Sequence, residues 1–138
     1  MNNNISSMIL NLKQNINQKN KSVAIVGLGY VGLPLSLTFV EKGFSVFGID
    51  IDNNKLTKLK DKRSYISTIK DERIANAVIS GKFNPTNDFS KIKDCMAIIL
   101  CVPTPLNKNR EPNLTYIKST LHSLKDYLVK EQILSLES

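Results

Sequence analysis

VAIVGLGYVG, residues 23–32, is the stretch of the sequence that decides the fold. Its first four residues are apolar and mostly β-branched, which predicts a short strand buried on both faces, as in a parallel sheet. The glycines that follow, Gly27, Gly29 and Gly32, have the spacing G-x-G-x-x-G. Because they follow a predicted strand and open a predicted helix at 31–42, they indicate a dinucleotide-binding turn more strongly than the spacing alone.

Each glycine of this turn has its own expected role. Gly27 permits the tight turn out of the strand, Gly29 lets the backbone approach a pyrophosphate, and Gly32 lets the helix pack closely on the strand. The helix N-terminus then offers unpaired N–H groups and a partial positive charge to the phosphates. Tyr30 lies inside the turn, where its ring either shields the phosphates or packs onto the sheet edge.

Asp50 is the acidic partner of the glycine turn. It ends a second predicted strand, 45–49, and lies 21 residues after Gly29 (50 − 29), close to the spacing of about 20 found in dinucleotide sites. Its carboxylate can accept hydrogen bonds from both ribose hydroxyls and would repel the extra phosphate of NADP, which favours NAD as the cofactor. Lys55, at the start of the next helix, either reaches the ribose or a phosphate or is a surface lysine; contact with a 2′-phosphate would weaken the NAD preference.

The rest of the chain alternates between helix and strand patterns. Further helices are predicted at 53–62, 71–80 and 113–129, and further strands at 82–86, 97–102 and 133–136. The last of these helices is predicted to have one apolar face, formed by Ile117, Leu121, Leu124 and Leu128. This alternation predicts an α/β fold, a Rossmann-type parallel sheet with helices on both faces, truncated after about five strands. Residues 22–138 are expected to form this domain, incomplete at its C-terminal end. Residues 1–21 are expected to be a polar N-terminal leader with one short helix pinned by Ile5, Ile9 and Leu12.

The strand at 97–102 runs directly into Pro103-Thr104-Pro105. Ligands of open α/β sheets lie outside the carboxyl ends of the strands, at the switch point of the strand order. The two prolines stiffen the loop, and Thr104 offers a hydroxyl and a backbone N–H. The loop is therefore expected either to hold the nicotinamide side of the cofactor or to be no more than a rigid turn.

The composition is that of one globular domain, with 41% hydrophobic and 22% charged residues. The net charge of +7 is spread over scattered lysines without a basic run, which favours a solvated surface over nucleic-acid binding. No apolar run is long enough to span a bilayer and no secretory signal is recognisable, so a cytoplasmic location without a membrane partner is expected. Cys95 and Cys101 lack the spacing of metal ligands, so we expect no metal and a structural role for both.

Several segments of the chain together carry a family resemblance. They are VAIVGLGYVGLPLS (23–36), FGIDID (47–52), SYI (64–66), GKF (81–83), DFS (88–90), CVPTPLNKNREPNLTYIKST (101–120) and LSLES (134–138). Together they resemble the UDP-glucose/GDP-mannose dehydrogenase family, and most of all its UDP-N-acetylglucosamine 6-dehydrogenases of polysaccharide biosynthesis. The resemblance implies that the cofactor is NAD. It also implies NAD contacts at four positions, Val31, Asp50, Lys55 and Thr104.

The resemblance further implies an oxidoreductase that converts the C6 alcohol of a UDP-sugar to a carboxylate, using two NAD per turnover. It implies a nucleotide-sugar substrate and a homo-oligomer for the full-length protein only. The family's cysteine nucleophile and its lysine, asparagine and glutamate are expected downstream of Ser138. No catalytic residue is therefore assigned here, and the chain alone is expected to be inactive. The alternative hypothesis is a stand-alone NAD-binding module without catalysis.

Overall fold

The computed structural model of the chain describes residues 2–19 and 21–137. Met1 and Asn20 of the predicted leader, and Ser138 at the end of the predicted domain, lie outside the described residues. Within the two described ranges, no helix is both long enough and apolar enough to cross a bilayer.

A five-stranded parallel sheet forms the centre of the molecule. Its strands are β1 (Ser22–Val26), β2 (Val46–Ile49), β3 (Phe83–Thr86), β4 (Cys95–Leu100) and β5 (Ile133–Leu136). They lie in the order β3-β2-β1-β4-β5, and each neighbouring pair is parallel. The order reverses between β1 and β4, as in doubly wound dinucleotide-binding folds. The predicted Rossmann-type fold is confirmed, and the switch point lies at the end of β1.

Different helices cover the two faces of the sheet. The chain contains α1 (Asn2–Gln18), α2 (Gly32–Glu41), α3 (Asn53–Lys60), α4 (Asp71–Ile79), a 3₁₀ helix (Phe89–Asp94) and α5 (Thr115–Leu124). Buried residues of α2, α3 and α4 share one apolar cluster with the sheet, while buried residues of the 3₁₀ helix and α5 share the other. The predicted covering of both faces is therefore confirmed.

Strand β1 shows why the first apolar run is buried on both faces. Val23 and Ile25 belong to one apolar cluster, whereas Ala24 and Val26 belong to the other. Successive side chains of a strand point to opposite faces, so a strand between two layers of helices must be apolar at every position. None of the four is more than 3% exposed.

Local sequence signals set several helix ends. The carboxylate of Asp52 accepts hydrogen bonds from the N–H groups of Asn54 and Lys55, which caps α3 as an aspartate at this position does. Gly43 has φ +94° after α2, and its N–H donates to the carbonyl of Val40. This left-handed conformation suits glycine, so the end of α2 follows the sequence pattern.

The last helix is shorter than the predicted 113–129. Asn113 accepts a hydrogen bond from the N–H of Thr115 and so supports the start of α5. The helix ends at Leu124 because the chain turns back to reach β5, where the side-chain amide of Gln132 donates to the carbonyls of Ile92 and Cys95. Of the apolar face predicted for this helix, Leu124 is fully buried, whereas Leu121 and Leu128 are more than one-third exposed.

Strand β4 begins at Cys95, two residues before the predicted start of 97 (97 − 95). Both Cys95 and Met96 are buried in the amino-terminal part of the strand, and Cys95 pairs with Ser22 across a register irregularity. The sequence pattern missed this part because Met96 and Cys95 lack the β-branching of the run that follows.

Residues 2–18 form a longer helix than the short one predicted in the leader. Leu12 packs against the core and Asn15 is buried, but Ile5 and Ile9 are at least half exposed. The ammonium of Lys19 lies against the carbonyl of Lys42, which ties the end of this segment to the body. The helix is thus docked on the domain, and the boundary between residues 21 and 22 stays a prediction.

Candidate functional site

A cleft of about 730 Å³ lies at the carboxyl ends of β1, β2 and β4. This volume is in the range of about 300–1,000 Å³ that small-molecule and cofactor sites occupy. Of the residues predicted to contact a cofactor, those that line the cleft are Gly27, Gly29, Tyr30, Val31, Asp50, Lys55 and Thr104. Gly32 is buried where α2 begins. The structure therefore brings the predicted residues together at the switch point of the sheet.

The three glycines of the turn differ in what surrounds them. Gly27 has φ +96°, and a Cβ there would be 2.7 Å from the carbonyl oxygen of Cys101. A Cβ on Gly32 would be 1.7 Å from the carbonyl oxygen of Gly27. Apart from its two chain neighbours, no described residue has an atom within 4 Å of a Cβ placed on Gly29. The geometry agrees with the turn and packing roles of Gly27 and Gly32, and it leaves open space at Gly29.

The N-terminus of α2 presents free backbone N–H groups beside this space. The preceding residue, Val31, makes no capping hydrogen bond with its side chain, and the N–H of Leu33 donates to the carbonyl of Gly29. In the part of the chain that the structure describes, the N–H groups of residues 29–32 donate to no protein acceptor. Unpaired N–H groups and the helix dipole favour an anion, so this corner suits a diphosphate.

The carboxylate of Asp50 is fixed beside the glycine turn. One oxygen accepts a hydrogen bond of 2.8 Å from the N–H of Leu28, and the other accepts one of 2.9 Å from the N–H of Asp52. Asp50 is only 8% exposed. A carboxylate oxygen can accept more than one hydrogen bond, so both oxygens retain capacity for a ligand hydroxyl. The turn and the acidic residue therefore form one connected unit.

Lys55 extends to the same carboxylate instead of into open solvent. Its ammonium lies 3.6 Å from an Asp50 oxygen and 5.9 Å from the centre of the Tyr65 ring. The positive charge offsets part of the charge of Asp50, so the two residues together set how strongly an extra phosphate is repelled. Lys55 was predicted either to reach the ribose or a phosphate or to be a surface lysine. Its position in the cleft fits the first of these, and its contact with a cofactor stays a prediction.

Tyr30, Val31 and Thr104 lie around the opening of the cleft. Tyr30 is 82% exposed, so its ring does not pack onto the sheet edge as one alternative predicted. Val31 is half-exposed beside it, and Thr104 is partly buried in the loop after β4. The N–H of Cys101 donates to the carbonyl of Val26, which extends the pairing of β4 with β1 up to this loop. All three side chains are placed where a ligand in the cleft would pass.

Tyr65 is a site residue that the sequence reasoning did not assign. Its hydroxyl donates a hydrogen bond of 2.6 Å to the carbonyl of Leu28, in the middle of the glycine turn. Burial, and then the charges of Asp50 and Asp52, raise the pKa of this hydroxyl above its usual range, so it stays a donor. The segment 64–66 belongs to the family resemblance, which was the signal for Tyr65, but no spacing rule connects it to the turn.

Replacing Tyr65 with phenylalanine should lower the free energy of unfolding by about 1–2 kcal/mol, because the carbonyl of the buried Leu28 loses its partner. Urea denaturation measures the difference. The control is Tyr30→Phe, since Tyr30 is largely exposed, and it should change stability by less than about 0.5 kcal/mol. Equal effects of the two substitutions would show that the Tyr65 hydrogen bond does not hold the turn.

Helix α5 forms a wall of the cleft, which the sequence analysis did not predict. Its side chains facing the cleft are Tyr116, Ser119, Thr120 and Ser123. They recur at i, i+3, i+4 and i+7, which is the spacing of one helix face. This recurrence of hydroxyls could have been found in the sequence beside the apolar face that was predicted.

Both cysteines are buried and free. Burial raises the pKa of the Cys95 thiol to about 12 and that of the Cys101 thiol to about 11, with smaller contributions from Asp94 and Glu137. Both thiols are therefore protonated at neutral pH, which agrees with the predicted structural role. Among the described residues, no group of three or more His, Cys, Asp or Glu side chains is placed to hold a metal ion.

Comparison with known proteins places the chain in a family. The model of the NAD binding domain of the UDP-glucose/GDP-mannose dehydrogenase family matches residues 21–138. The UDP-N-acetyl-D-glucosamine 6-dehydrogenase of Salmonella typhi is 34% identical over 84% of this chain and 26% of its own length. The UDP-N-acetyl-D-mannosamine dehydrogenase of Pyrococcus horikoshii is 29% identical over 84% of this chain and 28% of its own length.

Solved structures give the same result. The structure of the UDP-N-acetyl-mannosamine dehydrogenase Cap5O from Staphylococcus aureus superimposes with a TM-score of 0.77 and 29% identity. The match covers 85% of this chain and 28% of that one. The chain thus spans little more than a quarter of the length of these relatives.

Proposed function

Because the chain belongs to the UDP-glucose/GDP-mannose dehydrogenase family and carries its NAD-binding domain, we propose that the cleft is where NAD binds. The diphosphate lies over the N–H groups of residues 29–32, and the adenosine ribose lies on Asp50. The support is geometric. The hydrogen bond from the N–H of Leu28 to Asp50 holds the carboxylate beside the turn that carries the free N–H groups.

The observation that carries this proposal is the open space at Gly29. A ligand diphosphate can approach the backbone only where no side chain intervenes, and a Cβ on Gly29 would enter empty space. The same space adjoins the helix N-terminus, whose partial positive charge complements a diphosphate. A turn that served only the fold would need Gly27 and Gly32, which are sterically required, but would not need Gly29.

The remaining predicted residues have roles that follow from their places. Lys55 hydrogen-bonds the ribose or a neighbouring phosphate from its position beside Asp50. Thr104 and Val31 contact the nicotinamide half, because they lie on the two sides of the switch point. The exposed ring of Tyr30 covers the diphosphate. Bound NAD supplies the hydride acceptor, and these side chains orient it.

Isothermal titration calorimetry of the 138-residue chain with NAD and with NADP tests this proposal. NAD should bind at one site per chain, and NADP should bind at least about tenfold more weakly because Asp50 repels the added phosphate. Absence of NAD binding by the folded chain would refute the site. Equal affinities for the two cofactors would refute the role of Asp50 in cofactor choice.

For the full-length protein we propose oxidation of the C6 alcohol of a nucleotide sugar to a carboxylate, with two NAD per turnover. The named relatives act on UDP-N-acetylhexosamines, so a UDP-linked sugar of this class is the proposed substrate. Polysaccharide biosynthesis in the cytoplasm and a homo-oligomeric assembly are parts of the same proposal. The substrate would meet the nicotinamide end of the cleft, beside Thr104.

The 138-residue chain should bind NAD without oxidising a nucleotide sugar. The family resemblance implies a cysteine nucleophile, and both Cys95 and Cys101 are buried with their thiols protonated. Mixing the chain with NAD and UDP-N-acetylglucosamine should produce no NADH fluorescence above that of a chain-free blank. Sustained NADH formation would show that these residues suffice for the reaction.

A further inference from the structure

Helix α5 faces the cleft with hydroxyl groups instead of apolar side chains. Ser119, Thr120 and Ser123 line this wall, while Leu124 points into the core below the sheet. Only apolar contact would be needed to hold the flat ring of a nucleotide base. The hydroxyl row therefore calls for a ligand group that forms hydrogen bonds.

Two of these hydroxyls have committed their hydrogen atoms. Thr120 donates to the carbonyl of Tyr116 at 2.8 Å, and Ser123 donates to the carbonyl of Ser119 at 3.2 Å. A hydroxyl has a single hydrogen and two lone pairs, so while these bonds to the helix carbonyls are kept, the two oxygens accept further hydrogen bonds. The wall thus offers acceptors to whatever lies against it.

Two groups of residues adjoin Asp50 where the adenine of NAD would lie. On one side, the ammonium of Lys55 is already paired with Asp50, and the hydroxyl of Tyr65 already donates to the carbonyl of Leu28. On the other side, Ile51 is 78% exposed within the cleft although it is large and apolar. A purine ring needs such apolar surface against its face, so Ile51 is the surface on which the ring would lie.

This position brings the edge of the base towards α5. Phe89 of the 3₁₀ helix also lines the cleft and is partly buried, and the 3₁₀ helix packs against α5. A base on Ile51 would therefore have Phe89 and the hydroxyl row of Ser119, Thr120 and Ser123 among the cleft residues around it. The acceptors of that row face the ring edge, where purines differ from one another.

On the basis of the NAD site proposed above, we propose that Thr120 and Ser123 accept hydrogen bonds from the 6-amino group of adenine and so select an aminopurine over a 6-oxopurine. An amino group at this position donates two hydrogens. A 6-oxo group would instead place an acceptor against two acceptors, which loses the hydrogen bonds and leaves the hydroxyl oxygens unpaired.

Nicotinamide hypoxanthine dinucleotide is the direct probe, because it differs from NAD only in carrying a 6-oxo group and an N1–H where adenine has a 6-amino group and an unprotonated N1, and it keeps the diphosphate and both riboses. Calorimetry of the chain should show it to bind about tenfold more weakly than NAD. The comparison needs no mutation, so it cannot be confounded by misfolding.

The double variant Thr120→Val, Ser123→Ala then assigns the preference to these hydroxyls. Its affinity for NAD should fall about tenfold while its affinity for the hypoxanthine analogue changes less than about twofold, so that the preference disappears. Thr115→Val is the matched control, since Thr115 lies on α5 but outside the cleft, and it should keep the preference. Circular dichroism checks that each variant is folded.

Equal affinity of the unmodified chain for the two dinucleotides would overturn this inference and leave the NAD site standing. A preference for NAD that survives in the double variant would also overturn it. Failure of the folded chain to bind either dinucleotide would overturn the inference together with the proposed function.

Discussion

Gly29→Ala should weaken NAD binding about a hundredfold while the chain stays as stable as before. The added methyl group would occupy the space that the diphosphate needs, yet among the described residues only its own chain neighbours would lie within 4 Å of it. Gly29 is not among the glycines with positive φ, so alanine fits its backbone conformation. Calorimetry measures the affinity, and urea denaturation should show a change in stability of less than about 1 kcal/mol.

Gly32→Ala is the matched substitution with the opposite effect. A Cβ there would lie 1.7 Å from the carbonyl oxygen of Gly27 and 2.9 Å from its carbon, both in the backbone. The turn and α2 would have to separate, which should cost about 3 kcal/mol of stability or more. Destabilisation by Gly29→Ala comparable to that by Gly32→Ala, or undiminished NAD binding by Gly29→Ala, would contradict the separate roles of the two glycines.

Asp50→Asn should reduce the affinity for NAD about tenfold and reduce the preference for NAD over NADP to less than about threefold. The amide keeps the size of the side chain but removes the charge that repels a 2′-phosphate. It also leaves one acceptor oxygen for the N–H groups of Leu28 and Asp52, which now use both oxygens. The two affinities are measured by calorimetry on the same variant.

The ratio of the two affinities separates cofactor recognition from a general loss of structure. A loosened turn would weaken NAD and NADP alike, whereas loss of the charge changes them differently. Asp126→Asn serves as the control, because Asp126 is exposed in the turn after α5 and does not line the cleft. An unchanged preference in Asp50→Asn would mean that another group, such as Lys55 or the shape of the cleft, decides between the cofactors.

The sequence was sufficient for those parts of the fold that depend on local patterns. The strand at 22–26, the glycine turn, the helix after it and the placing of Asp50 all lie within one βαβ unit. Their signals are short-range, because glycine spacing, capping residues and apolar runs act within a few residues of each other. The parallel sheet with helices on both faces also followed from the alternation of elements.

Contacts between distant segments could not be predicted in the same way. Tyr65 reaches the carbonyl of Leu28 across 37 residues of sequence (65 − 28), and neither residue shows in its own surroundings that it has this partner. After the early end of α5, the side chain of Gln132 donates hydrogen bonds to the carbonyls of Ile92 and Cys95, about 40 residues earlier in the chain. Such features are decided by tertiary packing, which overrides local helix propensity.

The hydrogen-bond acceptors on the α5 wall could be predicted from the sequence only in part. The recurrence of hydroxyls at Ser119, Thr120 and Ser123 is visible in the sequence, but which way each hydroxyl donates is not. That direction depends on the carbonyls of Tyr116 and Ser119 lying within reach in the folded helix. The sequence could have indicated a polar face, and the structure was needed to give its chemistry.

A ¹⁵N–¹H NMR titration of the 138-residue chain with NAD tests the central claim most directly, because it reports on the individual N–H groups. We expect the largest saturable shifts at Gly29, Tyr30, Val31 and Gly32, whose N–H groups have no acceptor among the described residues, and at Leu28, whose N–H donates to Asp50. Saturable shifts confined to another region, such as the amino ends of the strands, with these signals unmoved, would contradict it.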